Sequence, residues 1–274
     1  MTELQSLAPL AAALLAAGLF AGLLAGLLGV GGGIIMVPVL YYVFGLLGVD
    51  ESVRMHMSVG TSLAAMIPTS IRSALAHRGK GAVDEAMFRR WLPGIALGVL
   101  AGVLTASFVK GPVLMTVFAA FALLTAVYMA FGKDSWRVAS ELPGRLGQTL
   151  MAFIIAAVSV MMGIGGGTFT VPALTLFGYP IHRAVGTAAA VGVLIAVPGA
   201  IGFVLGGLGE AGRPWGSLGF ANVIGVLCLI PTTLLAAPWG VALAHRLERR
   251  WLRLAFAGFL AATGIRMTLS LMGV

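Results

Sequence analysis

The chain is organised around residues 29–38, which have the sequence Gly29-Val30-Gly31-Gly32-Gly33-Ile34-Ile35-Met36-Val37-Pro38. A second copy begins 134 positions later, as Gly163-Ile164-Gly165-Gly166-Gly167-Thr168-Phe169-Thr170-Val171-Pro172. Each copy holds four glycines in five residues. A glycine costs a helix about 1 kcal/mol relative to alanine, so each copy is expected to interrupt a helix.

Both glycine runs lie in strongly apolar sequence. The 274-residue chain is 59% hydrophobic and only 9% charged, whereas about 25% of residues are charged in ordinary soluble domains. Repeated apolar segments of about 20 residues predict an all-α polytopic membrane protein. Inside a bilayer, non-helical backbone is tolerated only where it is packed in protein or lines a polar cavity. Two such breaks in matching halves of a chain indicate a transporter site.

Ten apolar segments follow one another, five in each half. They span 7–28, 34–47, 55–76, 88–109 and 113–131 in the first half, and 147–162, 168–178, 184–207, 217–241 and 252–272 in the second. Segments 34–47 and 168–178 are too short to cross a hydrocarbon core of about 30 Å at about 1.5 Å per residue. Each is therefore expected to be the return arm of a broken or re-entrant hairpin.

The basic residues predict the orientation. If the hairpins return to the face they left, 13 of the 17 basic residues share one face: Arg72, Arg78, Lys80, Arg89, Arg90, Lys133, Arg137, Arg145, Arg183, Arg246, Arg249, Arg250 and Arg253. The other face keeps Arg54, Lys110, Arg213 and Arg266. Because Lys and Arg concentrate in cytoplasmic loops, the crowded face is assigned to the cytoplasm. The chain would then be a multi-pass inner-membrane protein with both termini outside.

The same segment count predicts an inverted-topology repeat. Five segments separate the two glycine runs, so the halves are expected to enter the membrane from opposite sides. The halves also share Val59-Gly60-Thr61-Ser62 and Val185-Gly186-Thr187-Ala188, in the third and eighth segments. The first repeat is placed at residues 1–131, a cytoplasmic linker at 132–146 and the second repeat at 147–274.

The glycine runs are expected to bind a small anion near the middle of the membrane. The first turn of a helix has unpaired N–H groups and a positive dipole end, and consecutive glycines can present several N–H groups to one anion. Hydroxyl groups from neighbouring segments could add donors. The predicted substrate-binding residues are Gly31, Gly32, Gly33, Thr61, Ser62, Gly165, Gly166, Gly167, Thr168 and Thr187. Leucine at Gly32 or Gly166 is expected to abolish anion binding and to leave a folded protein.

Other chemistry finds little support in the sequence. The nine acidic residues all fall in tails, loops or span ends: Glu3, Asp50, Glu51, Asp84, Glu85, Asp134, Glu141, Glu210 and Glu248. A carboxylate for proton or sodium coupling would be expected at mid-membrane. The single cysteine, Cys228, and the four histidines show no metal-ligand spacing, and no catalytic or nucleotide-binding motif is visible. We therefore predict no metal, no cofactor and no enzymatic activity. The net charge of +8 is explained by the basic loops, so no nucleic-acid partner is expected.

Several further motifs accompany the paired glycine runs and their Val-Pro endings: Val59-Gly60-Thr61-Ser62-Leu63, Ala76-His77 with Gly81-Ala82-Val83-Asp84, and Pro238-Trp239-Gly240 with His245-Arg246-Leu247. In this order the motifs resemble the TauE/SafE family of sulfite-exporter-like membrane permeases. The resemblance implies a bacterial-type inner-membrane transporter of small sulfur-containing or carboxylate anions. The family pattern often has Thr-Ser in both repeats, whereas the second repeat here has Thr187-Ala188.

The sequence therefore predicts an anion transporter that works by alternating access. Its partners would be a small sulfonate, sulfite or short carboxylate and the lipid bilayer, with a homo-oligomer possible. Two alternatives stay open. An anion channel would use the same site without counterflow, and a membrane protein that only assembles or anchors an enzyme would move no anion at all.

Overall fold

The structure is a computed structural model that describes residues 12–24, 32–132, 138–139, 141–244 and 249–273. Within these ranges it contains ten helices and one short hairpin of two strands. The helices are α1 (Ala12–Leu24), α2 (Gly33–Leu46), α3 (Glu51–Gly79), α4 (Glu85–Phe108), α5 (Gly111–Phe131), α6 (Arg145–Met161), α7 (Gly167–Leu176), α8 (Ile181–Gly206), α9 (Val223–Ala244) and α10 (Arg249–Leu271), and the strands are β1 (Ser217–Leu218) and β2 (Ala221–Asn222).

The helices confirm an all-α polytopic membrane protein. By length and apolar composition, five stretches could each cross a membrane: Glu85–Phe108, Gly111–Phe131, Ile181–Gly206, Val223–Gly240 and Arg253–Leu271. The 29-residue helix α3 is about 43 Å long at about 1.5 Å per residue, which also exceeds the hydrocarbon core. Its lower hydropathy reflects serines, threonines and charged end residues.

The two short segments end close to the predicted positions. Helix α2 has 14 residues and α7 has 10, or about 21 and 15 Å. After α7, the main-chain oxygen of Leu176 accepts a hydrogen bond of 2.8 Å from the N–H of Val138, in the linker that precedes α6. The end of α7 therefore lies beside the linker that precedes α6.

Helices α3 and α8 pack against each other in the centre of the bundle. Both have extensive buried faces, which include Val59 and Leu63 of α3 and Val191 and Ile195 of α8. Around them, α4 packs along α6 and α5 packs along α10. Gly33, at the start of α2, contacts α3, and the second glycine run, which joins α6 to α7, contacts both α3 and α8.

Glycines on α4 allow it to approach α6 very closely. A Cβ atom at Gly94, Gly98 or Gly102 would lie under 3.0 Å from a main-chain oxygen of α6, at Thr149, Phe153 and Ala157 respectively. Small residues at such spacing let membrane helices bring their backbones together. These glycines therefore determine how closely α4 and α6 pack.

Leucine at Gly98 is expected to destabilise the protein. Its side chain would collide with the Phe153 carbonyl oxygen and the Ala156 side chain, and overpacking of this kind costs about 1–3 kcal/mol or more. Gly258→Leu is the matched control, because Gly258 is exposed on α10 and a Cβ atom there meets none of the described residues within 4 Å. Thermal unfolding in detergent should show a lower Tm for Gly98→Leu only. Equal Tm values in the two variants would contradict the close packing of α4 and α6.

The ninth apolar segment begins later than predicted. The sequence placed it from residue 217, but residues 217–222 form the β1–β2 hairpin and α9 begins at Val223. Gly216 and Gly219, with φ angles of 77° and 56°, have a left-handed backbone that a continuous helix does not use. Asn222 then caps α9, because its side-chain oxygen accepts the N–H of Gly225 at 2.7 Å.

Candidate functional site

The structure brings the two glycine runs into direct contact. A Cβ atom at Gly33 would lie 2.9 Å from both the Gly163 oxygen and the Ile164 Cα atom. Helix α3 holds the second run in place, because the hydroxyl of Ser62 donates a 2.8 Å hydrogen bond to the Gly163 oxygen. Of the predicted site residues, Gly31 lies outside the described residues.

Among the glycines that the structure describes, one in each run adopts a backbone conformation that other residues rarely use. Gly32 has a φ of 34° and Gly163 a φ of 66°, both in the left-handed region that favours glycine. Gly32 then caps α2, since its oxygen accepts hydrogen bonds from the N–H groups of Ile35 and Met36 at 3.2 and 2.9 Å. At these two positions glycine is favoured by the backbone conformation of the turn.

The start of α7 combines a buried side with an open side. Gly166 packs on α8, where a Cβ atom would lie 2.6 Å from the Gly192 nitrogen and 2.8 Å from the Ala188 oxygen. Gly167 is partly exposed, and a Cβ atom there would meet none of the described residues within 4 Å. The first-turn N–H groups of a helix lack intrahelical partners and carry partial positive charge. The start of α7 therefore offers backbone donors beside open space.

The geometry argues against the expectation that leucine at Gly32 or at Gly166 leaves a folded protein. Leucine at Gly166 would collide with the backbone of α8, so it would disturb the fold as well as any site. Leucine at Gly32 would be strained, because a φ of 34° is unfavourable for residues with a side chain. The glycine at which a side chain would fill open space is Gly167.

Buried hydroxyl groups flank the second glycine run. Thr170 and Ser159 are fully buried, and neither hydroxyl has a hydrogen-bond partner within the described part of the chain. Thr170 lies three residues after Gly167, on the same helix face, and helical side chains tilt toward the N-terminus. Thr175 of the same helix instead bonds the Val171 oxygen one turn back, at 3.0 Å.

Thr168, which was predicted as a site residue, is also buried. Thr170 was not among the site residues predicted from the sequence. A signal for Thr170 was present, because i and i+3 positions share a helix face and would have linked Thr170 to Gly167. Ser159 gave no such signal: it lies in α6, and only folding shows that its hydroxyl lacks a partner among the residues described. The first run is followed by Ile34 and Met36 where the second is followed by Thr168 and Thr170, so these two hydroxyl groups have no counterpart at the matching positions of the first half.

The structure uses Thr61 and Thr187 to join the halves of the chain. The Thr61 hydroxyl accepts a hydrogen bond of 2.9 Å from the N–H of Asn222, and the Thr187 hydroxyl accepts one of 3.0 Å from the N–H of Asp84. Asn222 and Asp84 in turn cap α9 and α4. Each threonine of one half therefore holds the start of a helix in the other half.

The glycine that precedes each of these threonines also packs against the other half of the chain. A Cβ atom at Gly60 would lie under 3.0 Å from the Phe220 oxygen, two residues before Asn222, and one at Gly186 would lie under 3.0 Å from the Ala82 oxygen, two residues before Asp84. We call these contacts the Thr61 joint and the Thr187 joint. The two hydroxyl oxygens each accept a hydrogen bond at their joint.

Unlike the Thr61 joint, the Thr187 joint includes charged side chains. The Asp84 carboxylate accepts hydrogen bonds from the Tyr179 hydroxyl and the Met87 N–H, and Arg183 lies 3.5 Å away. Burial alone would raise the pKa of the Asp84 carboxyl, but these donors and the Arg183 charge outweigh it and lower the pKa. Burial and the bond to Asp84 raise the pKa of Tyr179 to about 12. The joint is thus fully formed at neutral pH.

Asp84→Ala is expected to lower stability by about 2 kcal/mol, because hydrogen bonds to charged groups are worth about 1.5–3 kcal/mol and the Asp84 side chain is 17% exposed. Since the folded state lowers the Asp84 pKa, this stabilisation is present above the unfolded value of about 3.9 and lost as the pH falls through the lower folded pKa. Thermal unfolding of the wild type and of Asp84→Ala, at pH 7 and near pH 3, measures this stabilisation and its loss in acid.

Glu85→Gln is the control for Asp84→Ala. Glu85 pairs with Arg78, but their side chains are 43% and 68% exposed, and exposed ion pairs contribute about 0–1 kcal/mol. An Asp84→Ala variant as stable at pH 7 as Glu85→Gln would contradict a structural role for the Thr187 joint.

Membrane-spanning helices that surround two glycine-broken helices are typical of a membrane transporter. The chain belongs to the TauE/SafE sulfite exporter family, whose family model matches residues 14–267. It is accordingly a membrane transporter and not an enzyme.

Curated relatives agree with this assignment. A probable membrane transporter protein of Haemophilus influenzae is 32% identical over 241 residues, which cover 88% of this chain and 91% of the relative. One from Methanocaldococcus jannaschii is 26% identical over 249 residues, covering 88% and 89%. The YunE protein of Bacillus subtilis, also a probable membrane transporter, is 22% identical over 242 residues, covering 81% and 84%. No solved structure matches the chain.

Proposed function

We propose that this transporter carries small anions, either sulfur oxyanions such as sulfite and sulfonates or short carboxylates. The observation that carries the proposal is the start of α7, where the open backbone of Gly167 lies on the same helix face as the buried hydroxyl of Thr170, which is unpartnered among the described residues. An anion there would accept hydrogen bonds from first-turn N–H groups and from this hydroxyl, and would gain from the helix dipole.

The charges of the chain support an anion as substrate. Among the described residues, the acidic side chains lie in loops or at the first position of a helix: Asp50, Glu51, Asp84, Glu85, Glu141 and Glu210. A carboxylate inside the bundle would repel an anion and would favour a cation or proton instead. The name of the family, sulfite exporter, favours a sulfur oxyanion within the proposed class.

We also propose an inverted-topology repeat and alternating access. The support is the exchange of contacts between the halves, in which Thr61 holds the cap of α9 and Thr187 holds the cap of α4. Such reciprocal contacts are expected when two halves are related by an axis in the membrane plane. Transport would then require one joint to loosen while the other stays formed.

The excess of basic residues supports an inner-membrane orientation with both termini outside. A cysteine that replaces exposed Ala139, in a Cys228→Ser background, tests this. It should react with an impermeant thiol reagent only when the reagent reaches the cytoplasmic face. Reaction from the outer face would reverse the orientation.

Counterflow in proteoliposomes tests the function. Vesicles preloaded with unlabelled sulfite or methanesulfonate should take up the labelled anion faster than empty vesicles. The reason is that a carrier returns to the outer face with unlabelled anion bound, ready for the next labelled anion. Uptake without acceleration would indicate a channel, and no uptake of any small sulfonate, sulfite or carboxylate would overturn the proposal.

A further inference from the structure

One side chain lies between the two glycine runs. A Cβ atom at Gly33 would lie 2.7 Å from the sulfur of Met66, and one at Gly165 would lie 2.5 Å from its terminal methyl group. Met66 is 5% exposed, and the Ser62 hydroxyl lies 3.8 Å from its sulfur. The side chain of Met66 therefore touches both runs at once.

The corresponding position in the other half has no side chain. Met66 follows Thr61 by five residues, and Gly192 follows Thr187 by five. On α8, Gly192 lets the backbone of Gly166 approach directly, since a Cβ atom at Gly192 would lie 3.3 Å from the Gly166 nitrogen. The methionine on α3 thus fills space that the α8 side leaves to bare backbone.

Met66 also lies where α3 is weakened. Pro68, two residues later, is inside the helix, and a proline removes the hydrogen bond to the carbonyl four residues earlier, here Ala64. A methionine has three flexible side-chain bonds and adapts to irregular spaces. A methionine can therefore fill the irregular space between Gly33 and Gly165.

From this geometry we infer that Met66 is the specificity-determining residue that limits the size of the transported anion. The inference rests on the proposed anion transport. The thioether occupies the volume beside the second run into which the organic part of a larger anion would extend. A smaller residue at position 66 therefore admits larger anions, and a bulkier one excludes them.

A series of alkyl and aryl sulfonates tests the inference, because methanesulfonate, ethanesulfonate and benzenesulfonate share one charged group and differ in size. Their transport is compared in proteoliposomes of the wild type, Met66→Ala, Met66→Leu and Met66→Phe. Because single methylene groups change selectivity by about 10–200-fold, Met66→Ala should raise the ratio of benzenesulfonate to methanesulfonate transport at least about tenfold. Met66→Leu, of similar volume, should keep the wild-type ratio, and Met66→Phe should lower it.

The outcomes separate this inference from the proposed function. An unchanged size preference in a transporting Met66→Ala or Met66→Phe variant would overturn the role of Met66 and leave anion transport standing. A wild type that carries no sulfonate or other small anion would overturn the proposed function itself. If Met66→Ala does not fold, Met66→Val provides the smaller side chain and Met66→Phe the larger one for the same comparison of sulfonate transport.

Discussion

Replacing Gly167 with leucine is expected to abolish anion binding while the protein still folds. A Cβ atom at Gly167 meets none of the described residues within 4 Å, so the new side chain can be placed without moving backbone. It would fill the open space beside the first turn of α7 and would cover the N–H groups that are proposed to hold the anion. Since charge-assisted hydrogen bonds contribute about 1.5–3 kcal/mol each, losing two of them would lower affinity by about a hundredfold or more.

Gly258→Leu provides the control for Gly167→Leu. It introduces the same side chain into a membrane helix, at a position that is equally free of neighbours among the residues described. Calorimetric titration with methanesulfonate should show wild-type affinity for Gly258→Leu and no measurable binding for Gly167→Leu. Comparable affinities in the two variants, both folded by size-exclusion chromatography, would remove the start of α7 from the proposed site.

Replacing Gly166 with leucine is expected to prevent stable folding, although it is the next residue along the chain. A Cβ atom at Gly166 would lie 2.6 Å from the Gly192 nitrogen and 2.8 Å from the Ala188 oxygen. Both are backbone atoms of α8, which cannot move aside as a flexible side chain can. The cost should exceed the approximately 1–3 kcal/mol of ordinary overpacking.

Expression and monodispersity in detergent measure this effect. Gly166→Leu should give aggregated or strongly destabilised protein under conditions in which Gly167→Leu is monodisperse. A Gly166→Leu protein with a wild-type Tm would show that α7 and α8 are not as close as the structure places them.

The outline of this fold could be predicted because two strong signals coincide. Apolar segments define the helices, and the glycine runs define where two of them break. The segment predicted at 34–47 is found at Gly33–Leu46, and the one at 168–178 is found at Gly167–Leu176. Residues 7–11 and 25–28 of the first predicted segment lie outside the described residues. The error at the ninth segment arose because Leu218, Phe220 and Ala221 extend the apolar pattern, and a short apolar stretch can form a hairpin as well as a helix.

The roles of individual polar residues were harder to predict. Thr61 and Thr187 could be chosen from the sequence because they repeat in the two halves. Their hydrogen-bond partners could not be predicted, because Asn222 lies 161 positions from Thr61 and Asp84 lies 103 positions from Thr187. Membrane threonines commonly bond their own helix backbone, so sequence alone cannot separate that use from a contact between helices.

Thr170 and Met66 show a second limit of the sequence. A hydroxyl without a partner is visible only after its neighbours have been placed, and Thr170 has the same residue type as Thr175, whose hydroxyl is bonded within α7. Met66 resembles any other apolar residue of a membrane helix until folding places it beside Gly33 and Gly165. Tertiary contacts therefore decide both roles.

The most direct test of the proposed anion site compares Thr170→Val with Thr175→Val by calorimetric titration with sulfite and methanesulfonate. Both changes remove one hydroxyl from α7 with little change in volume, but the Thr175 hydroxyl already bonds the Val171 and Pro172 oxygens. Losing a hydrogen bond to a charged ligand costs about 1.5–3 kcal/mol, so Thr170→Val should bind about 10- to 100-fold more weakly while Thr175→Val binds as the wild type does. Equal affinity in the wild type and both variants would contradict the site.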